Sequence, residues 1–319
     1  MKYLSLFSGI EAATVAWKSL DFECVGVSEI DPFCSALLEQ RLPNIKNFGN
    51  IQQITMEKLY ENEITTNKKP NIIIGGSPCQ SFSVAGARKG TNDPRGQLMY
   101  EFVRVISIVK PQYIVWENVR GALSTSGGKD FGSLLGSLVE CGYDLEWRVL
   151  DTQEFGLPQS RSRVYLVGCL GGFRGGSVLF DKGSNGRNTE PSSKKGSKNA
   201  TSLDRDVKVT QTKTITNGRN IVGCLCARDY KGVGSDCVQA GKVVIEMGSK
   251  EVRLRRLTPK EYERLQGFPD DWTQIPWNGK SASECPLTHR YRSLGNTMSV
   301  PVVRWVGHNI LKHYTAYIE

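Results

Sequence analysis

Four groups of residues in this chain have types and spacings suited to chemistry. Cys79 follows the run Ile72-Ile73-Ile74-Gly75-Gly76-Ser77-Pro78 and precedes Gln80-Ser81-Phe82-Ser83. An apolar strand running into a glycine-rich loop would show that thiol at the C-terminal edge of a sheet, where α/β folds bind ligands. A free thiol has a pKa of about 8.5, so it needs backbone amides or nearby cations to become a nucleophile. A small buried hydrophobe is the commoner fate of a cysteine. The preceding proline and the polar residues behind Cys79 weigh towards exposure.

Glu117 ends a second apolar run, Tyr113-Ile114-Val115-Trp116-Glu117-Asn118-Val119. A partly desolvated carboxyl holds its proton more readily and can share it with a heteroaromatic ring. The plainer alternative is a surface carboxylate at a strand end. Arg161 and Arg163 lie in Gln159-Ser160-Arg161-Ser162-Arg163. At i and i+2 on an extended chain they point to one side, where they could hold a phosphate or a ring carbonyl. Solvated arginines are equally compatible with that spacing. Leu4-Ser5-Leu6-Phe7-Ser8-Gly9-Ile10-Glu11 reads as a strand turning into a helix, with Glu29 ending the next strand. That is the layout of a nucleotide-cofactor site with a ribose-binding carboxylate, although one glycine stands where several are usual.

These groups need a sheet to position them. Short apolar runs predict strands at Tyr3–Phe7, Cys24–Ser28, Asn71–Gly75, Tyr113–Glu117, Leu145–Leu150 and Val164–Val167. Continuous Val, Ile and Leu indicate burial on both faces. Helical segments are expected at Glu11–Leu20, Pro32–Arg41, Gln97–Val109 and Asp130–Cys141, and the alternation predicts an α/β domain with a largely parallel sheet. From Gly171 to about Lys250 the texture changes, with 13 of the 33 glycines and a Ser/Gly/Asn/Lys-rich loop at Gly183–Ser202. Short β pieces are expected at Val207–Val209, Lys213–Thr216, Val243–Glu246 and Val252–Leu254, and a last helix from Val300 to about Tyr314.

Charge follows the same division. The 319 residues carry a net charge of +9, and residues 171–250 hold 14 Lys+Arg against 7 Asp+Glu, or +7 of it. A basic segment beside a near-neutral body is the footprint of a nucleic-acid partner or of a solvated surface. Nine cysteines without a CxxC pair, and three histidines, form neither a disulfide scaffold nor a zinc pattern. Met1–Phe7 looks like the start of a secretory signal, but Glu11 interrupts the apolar run. No apolar stretch approaches the roughly 18 residues of a membrane span. A cytoplasmic, nucleoid-associated protein is expected, with no metal and no membrane.

Taken in order, these elements resemble the C5-cytosine-specific DNA methyltransferase family of bacteria and phages. Phe7-Ser8-Gly9 is similar to its cofactor loop, Ser28-Glu29-Ile30-Asp31 to its acidic strand end, and Gly49-Asn50-Ile51 to its Gly-Asp-Ile. Gly76-Ser77-Pro78-Cys79-Gln80 is similar to the nucleophile loop, Glu117-Asn118-Val119 to the catalytic glutamate motif, and Gln159/Arg161/Arg163 to Gln-x-Arg-x-Arg. Arg256-Leu257-Thr258-Pro259 through Leu265-Gln266-Gly267-Phe268-Pro269 is similar to the segment closing the recognition region. Gly295-Asn296 with Val300-Pro301 is similar to the final motif. Glu11 and Ala12 depart from the family's glycines, and Asn50 stands in place of an aspartate.

The resemblance implies a Rossmann-like S-adenosylmethionine-dependent methyltransferase domain, 1–170 plus 290–319. It also implies a smaller, irregular β-rich target-recognition domain, 171–289. The implied reaction moves a methyl group from S-adenosylmethionine to carbon 5 of a cytosine flipped out of duplex DNA. Cys79, Glu117, Arg161 and Arg163 would be catalytic. Phe7, Gly9, Ile10, Glu29, Ile30, Asn50, Ile51, Pro78, Leu98, Asn296 and Thr297 would bind the cofactor. Gln80, Ser83, Arg95, Arg228, Tyr230 and Lys231 are the candidates for DNA contact. A monomer is expected, with a cognate restriction endonuclease as candidate partner. The same chemistry on structured RNA, or cofactor and DNA binding without turnover, are the alternatives.

Overall fold

A computed structural model describes residues 1–77, 97–174, 176–180, 212–215, 221–231, 242–247 and 252–318. Pro78, Cys79, Gln80, Ser83, Arg95, Gly183–Ser202 and Val207–Val209 lie outside them. The chain divides into two compact units. The first comprises Met1–Leu150, Arg163–Asn185 and Val303–Glu319; the second comprises Asp151–Ser162 and Gly186–Val302. Asp151–Ser162 and residues 290–302 therefore pack within the second unit.

The first unit is built on six strands. They are β1 (Lys2–Leu6), β2 (Glu23–Ser28), β3 (Ile72–Gly75), β4 (Tyr113–Val119), β5 (Tyr143–Asp151) and β6 (Ser162–Leu170), in the order β2-β1-β3-β4-β6-β5. The pairs β1–β2, β1–β3 and β3–β4 are parallel, whereas β6 runs antiparallel to β4. The sheet is thus parallel through its centre, as the apolar runs predicted, and reverses where β6 enters. Helices α1 (Ala12–Trp17), α2 (Pro32–Arg41), α3 (Met56–Glu61), α4 (Gln97–Val109) and α5 (Lys129–Glu140) lie between the strands in sequence.

One core cluster joins Leu4, Leu6, Ile73, Ile114, Trp116 and Leu166 of the sheet to Phe102 and Ile106 of α4 and Leu134 and Leu138 of α5. The other anchor is α8 (Val300–Ile318), the last helix. Trp17 Nε1 donates to the Val303 carbonyl at 2.8 Å. Gly307 gives the indole room, since a Cβ there would fall on the ring. His313 lies buried with Nδ1 2.7 Å from the Tyr113 hydroxyl, and burial holds its pKa below the usual imidazole value.

The second unit contains a three-stranded antiparallel sheet, β7 (Thr212–Ile215), β8 (Val243–Met247) and β9 (Val252–Arg256). It also contains α6 (Pro259–Gln266) and α7 (Leu287–Asn296). Thr258 and Glu261 form a reciprocal capping box, and Pro259 opens α6 at a position where its missing N–H costs nothing. Glu263 and Arg290 are buried as an ion pair at 3.1 Å. Burying such charges is tolerable only when the remaining oxygens are satisfied. Here the Asp271 and Thr273 amides donate to Glu263 at 2.7 and 2.9 Å.

Candidate active site

Strand β1 ends in a loop with two successive left-handed turns. Phe7 has φ 53° and Gly9 φ 56°, and nothing lies within 4 Å of where a Cβ on Gly9 would sit. The loop is held by the neighbouring strand end. Glu29 accepts the Gly9 amide at 2.7 Å through one oxygen, and the Ile30 and Asp31 amides at 2.8 and 2.7 Å through the other. Such charge-assisted bonds are stronger than neutral ones, so one carboxylate sets the shape of both strand ends. Ile30 beside it is 69% exposed, an apolar face without a cover among the described residues.

Two residues that spacing did not single out complete this arrangement. Asn47 accepts the amides of Glu29 and Gly49 at 3.1 and 2.9 Å and donates to the Glu29 carbonyl at 3.2 Å. Arg104 on α4 donates to the carbonyls of Ile51 and Ile54 at 2.9 and 2.7 Å, fixing the turn that Asn50 caps. Asn47, two residues before Gly49, was a legible turn signal; Arg104 had none. The side chains of Ile10 and Ile51 are buried in the core. Phe7 and Leu98 are half-buried against that same core. Open backbone at Gly9 and an exposed Ile30 beside a fixed carboxylate fit a nucleoside cofactor.

Glu11 enters this loop in the left-handed region, φ 61°, where the resemblance expects glycine. Its carboxyl caps α1 by accepting the Thr14 amide at 3.3 Å and is fully buried, which pushes its pKa up to about 7. A folded pKa above the ordinary 4.5 means the folded state binds the extra proton between those values. Its stabilising contribution is complete below about pH 4.5 and is lost as pH rises through about 7. Over that window wild type should lose roughly 3 kcal/mol relative to Glu11→Gln, by the pKa difference alone. His313 titrates in the opposite sense, with stability present above its unfolded value and lost as pH falls. The difference between the two denaturation curves, read from pH 4.5 to 8, therefore isolates Glu11. Parallel curves would show that burial does not perturb it.

Two of the catalytic candidates, Glu117 and Arg163, meet at the centre of the sheet. Gly75 pairs with Trp116, and a Cβ on Gly75 would sit 2.6 Å from the Leu6 carbonyl, so only glycine fits between β1 and β4. The chain leaving β3 is then pinned at Ser77. Trp116 Nε1 donates to its hydroxyl at 3.2 Å and Asn118 Nδ2 to its carbonyl at 2.9 Å. These two anchors flank Glu117 on β4, and Pro78 and Cys79 follow Ser77 directly in sequence. Glu117 is 8% exposed. Arg163, on the antiparallel β6, brings Nε to 3.5 Å from Glu117 Oε1.

Arg161 does not share that environment. Strand β6 begins at Ser162, so alternation does not extend to Arg161. Its guanidinium is buried in the second unit. Nη1 donates to the carbonyls of Leu225 and Gly295 at 3.1 and 3.2 Å, and Nη2 to that of Thr297 at 2.7 Å. The expected contact with a ring substituent or phosphate finds these donors turned to protein carbonyls instead. Gln159 is equally committed, donating to the Leu265 carbonyl at 2.7 Å. Asn296 is exposed and Thr297 buried.

Among the DNA-contact candidates, Arg228 is exposed and Tyr230 half-buried on a tight turn. Asp229 between them is buried and accepts Lys242 Nζ at 3.0 Å, the Tyr262 hydroxyl at 3.0 Å and the Cys226 amide at 2.8 Å. Lys231 closes the same turn. Among the described residues no group of three or more His, Cys, Asp or Glu is arranged to hold a metal, and no helix is long and apolar enough to cross a membrane.

Comparison with known proteins agrees with this geometry. The chain is 27% identical to the DNA N-6-adenine-methyltransferase of Escherichia phage P1, over 97% of this chain and 61% of that protein's length. It is 27% identical to the type II methyltransferase M.DsaV of Dactylococcopsis salina, over 98% of this chain and 86% of that one. The S. pombe Dnmt2 methyltransferase structure superposes with a TM-score of 0.68 at 21% identity, covering 98% of each chain, which shows the fold. The family model of C-5 cytosine-specific DNA methylases matches residues 1–217 and 181–312. Matched along nearly its whole length, the chain belongs to the C-5 cytosine-specific DNA methylase family.

Proposed function

We propose that this protein methylates carbon 5 of cytosine in a specific duplex DNA sequence, with S-adenosylmethionine as donor. The observation that carries it is the Glu117–Arg163 pair beside Ser77, the residue that leads into Pro78-Cys79. Bound S-adenosylmethionine supplies an electrophilic methyl group. Phe7, Gly9, Ile10, Glu29, Ile30, Asn50, Ile51, Pro78, Leu98, Asn296 and Thr297 are the residues proposed to hold it.

The rest is done by this chain's side chains. Carbon 5 of a neutral cytosine is a weak nucleophile. The Cys79 thiolate adds at carbon 6, forming a carbon–sulfur bond and pushing electron density to carbon 5. Glu117 shares a proton with ring N3 and so stabilises the developing charge. Arg163 orients Glu117 and is a donor for the ring oxygen. Once carbon 5 carries the new methyl, a base removes its proton, the double bond re-forms and Cys79 departs. The target must leave the base stack to be reached. Arg228, Tyr230 and Lys231, with Gln80, Ser83 and Arg95, are proposed as DNA contacts, and Lys/Arg contacts to phosphate would make binding salt-dependent. A monomeric cytoplasmic enzyme acting alone or beside a cognate restriction endonuclease fits this chemistry.

The phage P1 relative's name refers to adenine N6. A thiol nucleophile has no part in that reaction, since an exocyclic amine attacks a methyl group through its own lone pair. Mass spectrometry of nucleosides from cells expressing the protein should therefore show 5-methylcytosine and no added N6-methyladenine. Bisulfite sequencing of the same DNA would give the sequence context. Methylation found only in structured RNA, or only on adenine, would overturn the assignment.

A further inference from the structure

Glu11 is the joint between the Phe7–Ile10 loop and α1. Its amide donates to the Ser8 carbonyl at 2.9 Å and closes the loop's last turn, with φ 61° and ψ 68°. A left-handed residue other than glycine persists only where its surroundings hold it. Here the hold comes through the side chain, which is 1% exposed and folded back against β1 and α1. One oxygen accepts the Thr14 amide at 3.3 Å, and the hydroxyls of Ser5, Tyr3 and Thr14 lie around the carboxyl. Tyr3 and Ser5 project from one face of β1, as i and i+2 on a strand do. The Tyr3 hydroxyl is tied to Thr14 Oγ1 at 2.6 Å, and Cys24 on β2 completes the cluster.

None of these neighbours is a cation. Glu23, beside Cys24, adds a further negative charge. Arg304 of α8, which packs on α1, donates to the Ala16 carbonyl at 3.2 Å. Burial pushes the Cys24 thiol up to about 12, and burial together with Glu11 pushes the Tyr3 phenol up as well, so both keep their protons. Glu11 is therefore the member of this cluster that titrates near neutrality, at about 7. An ionised carboxylate with no cation beside it is costly to keep buried. It reaches water only by swinging out, and its own backbone is the joint, so Ser8–Ile10 must move with it.

We propose that Glu11 is a positioning residue for the cofactor, its neutral carboxyl holding the Phe7–Ile10 loop in the shape that binds and its carboxylate releasing that loop. The inference rests on the proposed assignment of Phe7, Gly9 and Ile10 to the cofactor. The bound loop keeps Glu11 buried with its raised pKa, and the released loop returns it towards the ordinary 4.5. Cofactor affinity is then complete below about pH 4.5 and is lost as pH rises through about 7.

The test is S-adenosylhomocysteine binding to the full chain, measured by calorimetry from pH 5 to 8 at a temperature where the protein is folded. Wild-type affinity should fall about tenfold over that range, the usual size of a coupling between two ligands, here the cofactor and a proton. Glu11→Gln keeps the shape and stays neutral, and should hold its pH 5 affinity to within about twofold. A flat wild-type profile, or an equal fall in Glu11→Gln, overturns the proposal. Should Glu11→Gln fail to fold, Glu11→Gly decides. Glycine suits the left-handed position and carries no titrating group, so its profile should be flat, and a fall like that of wild type overturns the proposal. Phe7→Ala separates failure of the underlying assignment. At pH 5 it should weaken binding by about tenfold, the worth of a lost apolar contact. If it is silent, the loop does not hold the cofactor, whatever Glu11 does.

Discussion

Cys79→Ala should abolish methyl transfer, with a loss on the order of 10⁴-fold or more, as when a covalent nucleophile is removed. Alanine cannot form the bond to carbon 6, and without that bond carbon 5 has no electron pair to offer. Binding should survive, because the positions proposed for cofactor and DNA do not depend on the thiol. A duplex with 5-fluorocytosine at the target separates the steps. Fluorine at carbon 5 cannot leave as a proton does, so wild type should stall as a covalent complex that persists in denaturing gels. Cys79→Ala should show none. The structure bears on this through Ser77, whose hydroxyl and carbonyl are held by Trp116 and Asn118 on either side of Glu117. Methyl transfer retained within tenfold of wild type, or a covalent complex formed without Cys79, would sink the covalent route.

Much of the scaffold was legible because burial on both faces leaves a local mark. Asn71–Gly75 and Tyr113–Glu117 read as strands from their apolar runs, and the strands found are Ile72–Gly75 and Tyr113–Val119. Strand β5 was recognised only from Leu145 onward, although it starts at Tyr143. It lies at the sheet edge, and Asp144 separates Tyr143 from the apolar residues that follow. The reversal of β6 left no trace, because periodicity carries no direction. At the site, the motif residues were visible by type, whereas their partners were not. Arg161 and Arg163 look equivalent in sequence. One finds carbonyls at positions 225, 295 and 297, the other a carboxylate at 117. Those partners come from distant segments, and spacing along one strand cannot name them.

Glu117→Gln should lower kcat by about 10²–10⁴-fold, the usual worth of a positioned acid–base group. Glutamine preserves the shape of the side chain but cannot exchange a proton with ring N3 or balance the charge that grows there. The change also leaves Arg163 facing a neutral amide. That guanidinium side chain is only 14% exposed, so losing its carboxylate partner costs stability as well as rate. A fall in Tm is therefore expected, and rates must be compared at temperatures where both proteins are folded. Duplex and S-adenosylhomocysteine affinities should stay within a few-fold of wild type, placing the loss in kcat and not in KM. The 5-fluorocytosine duplex gives the sharper reading. Glu117 assists addition at carbon 6, so the variant should form the covalent complex slowly but to completion, unlike Cys79→Ala. Glu117→Asp, shorter by one methylene, should recover part of the rate because it restores the exchangeable proton at a longer reach. A covalent complex formed by Glu117→Gln at the wild-type rate would remove Glu117 from the addition step and leave it only the role of holding Arg163.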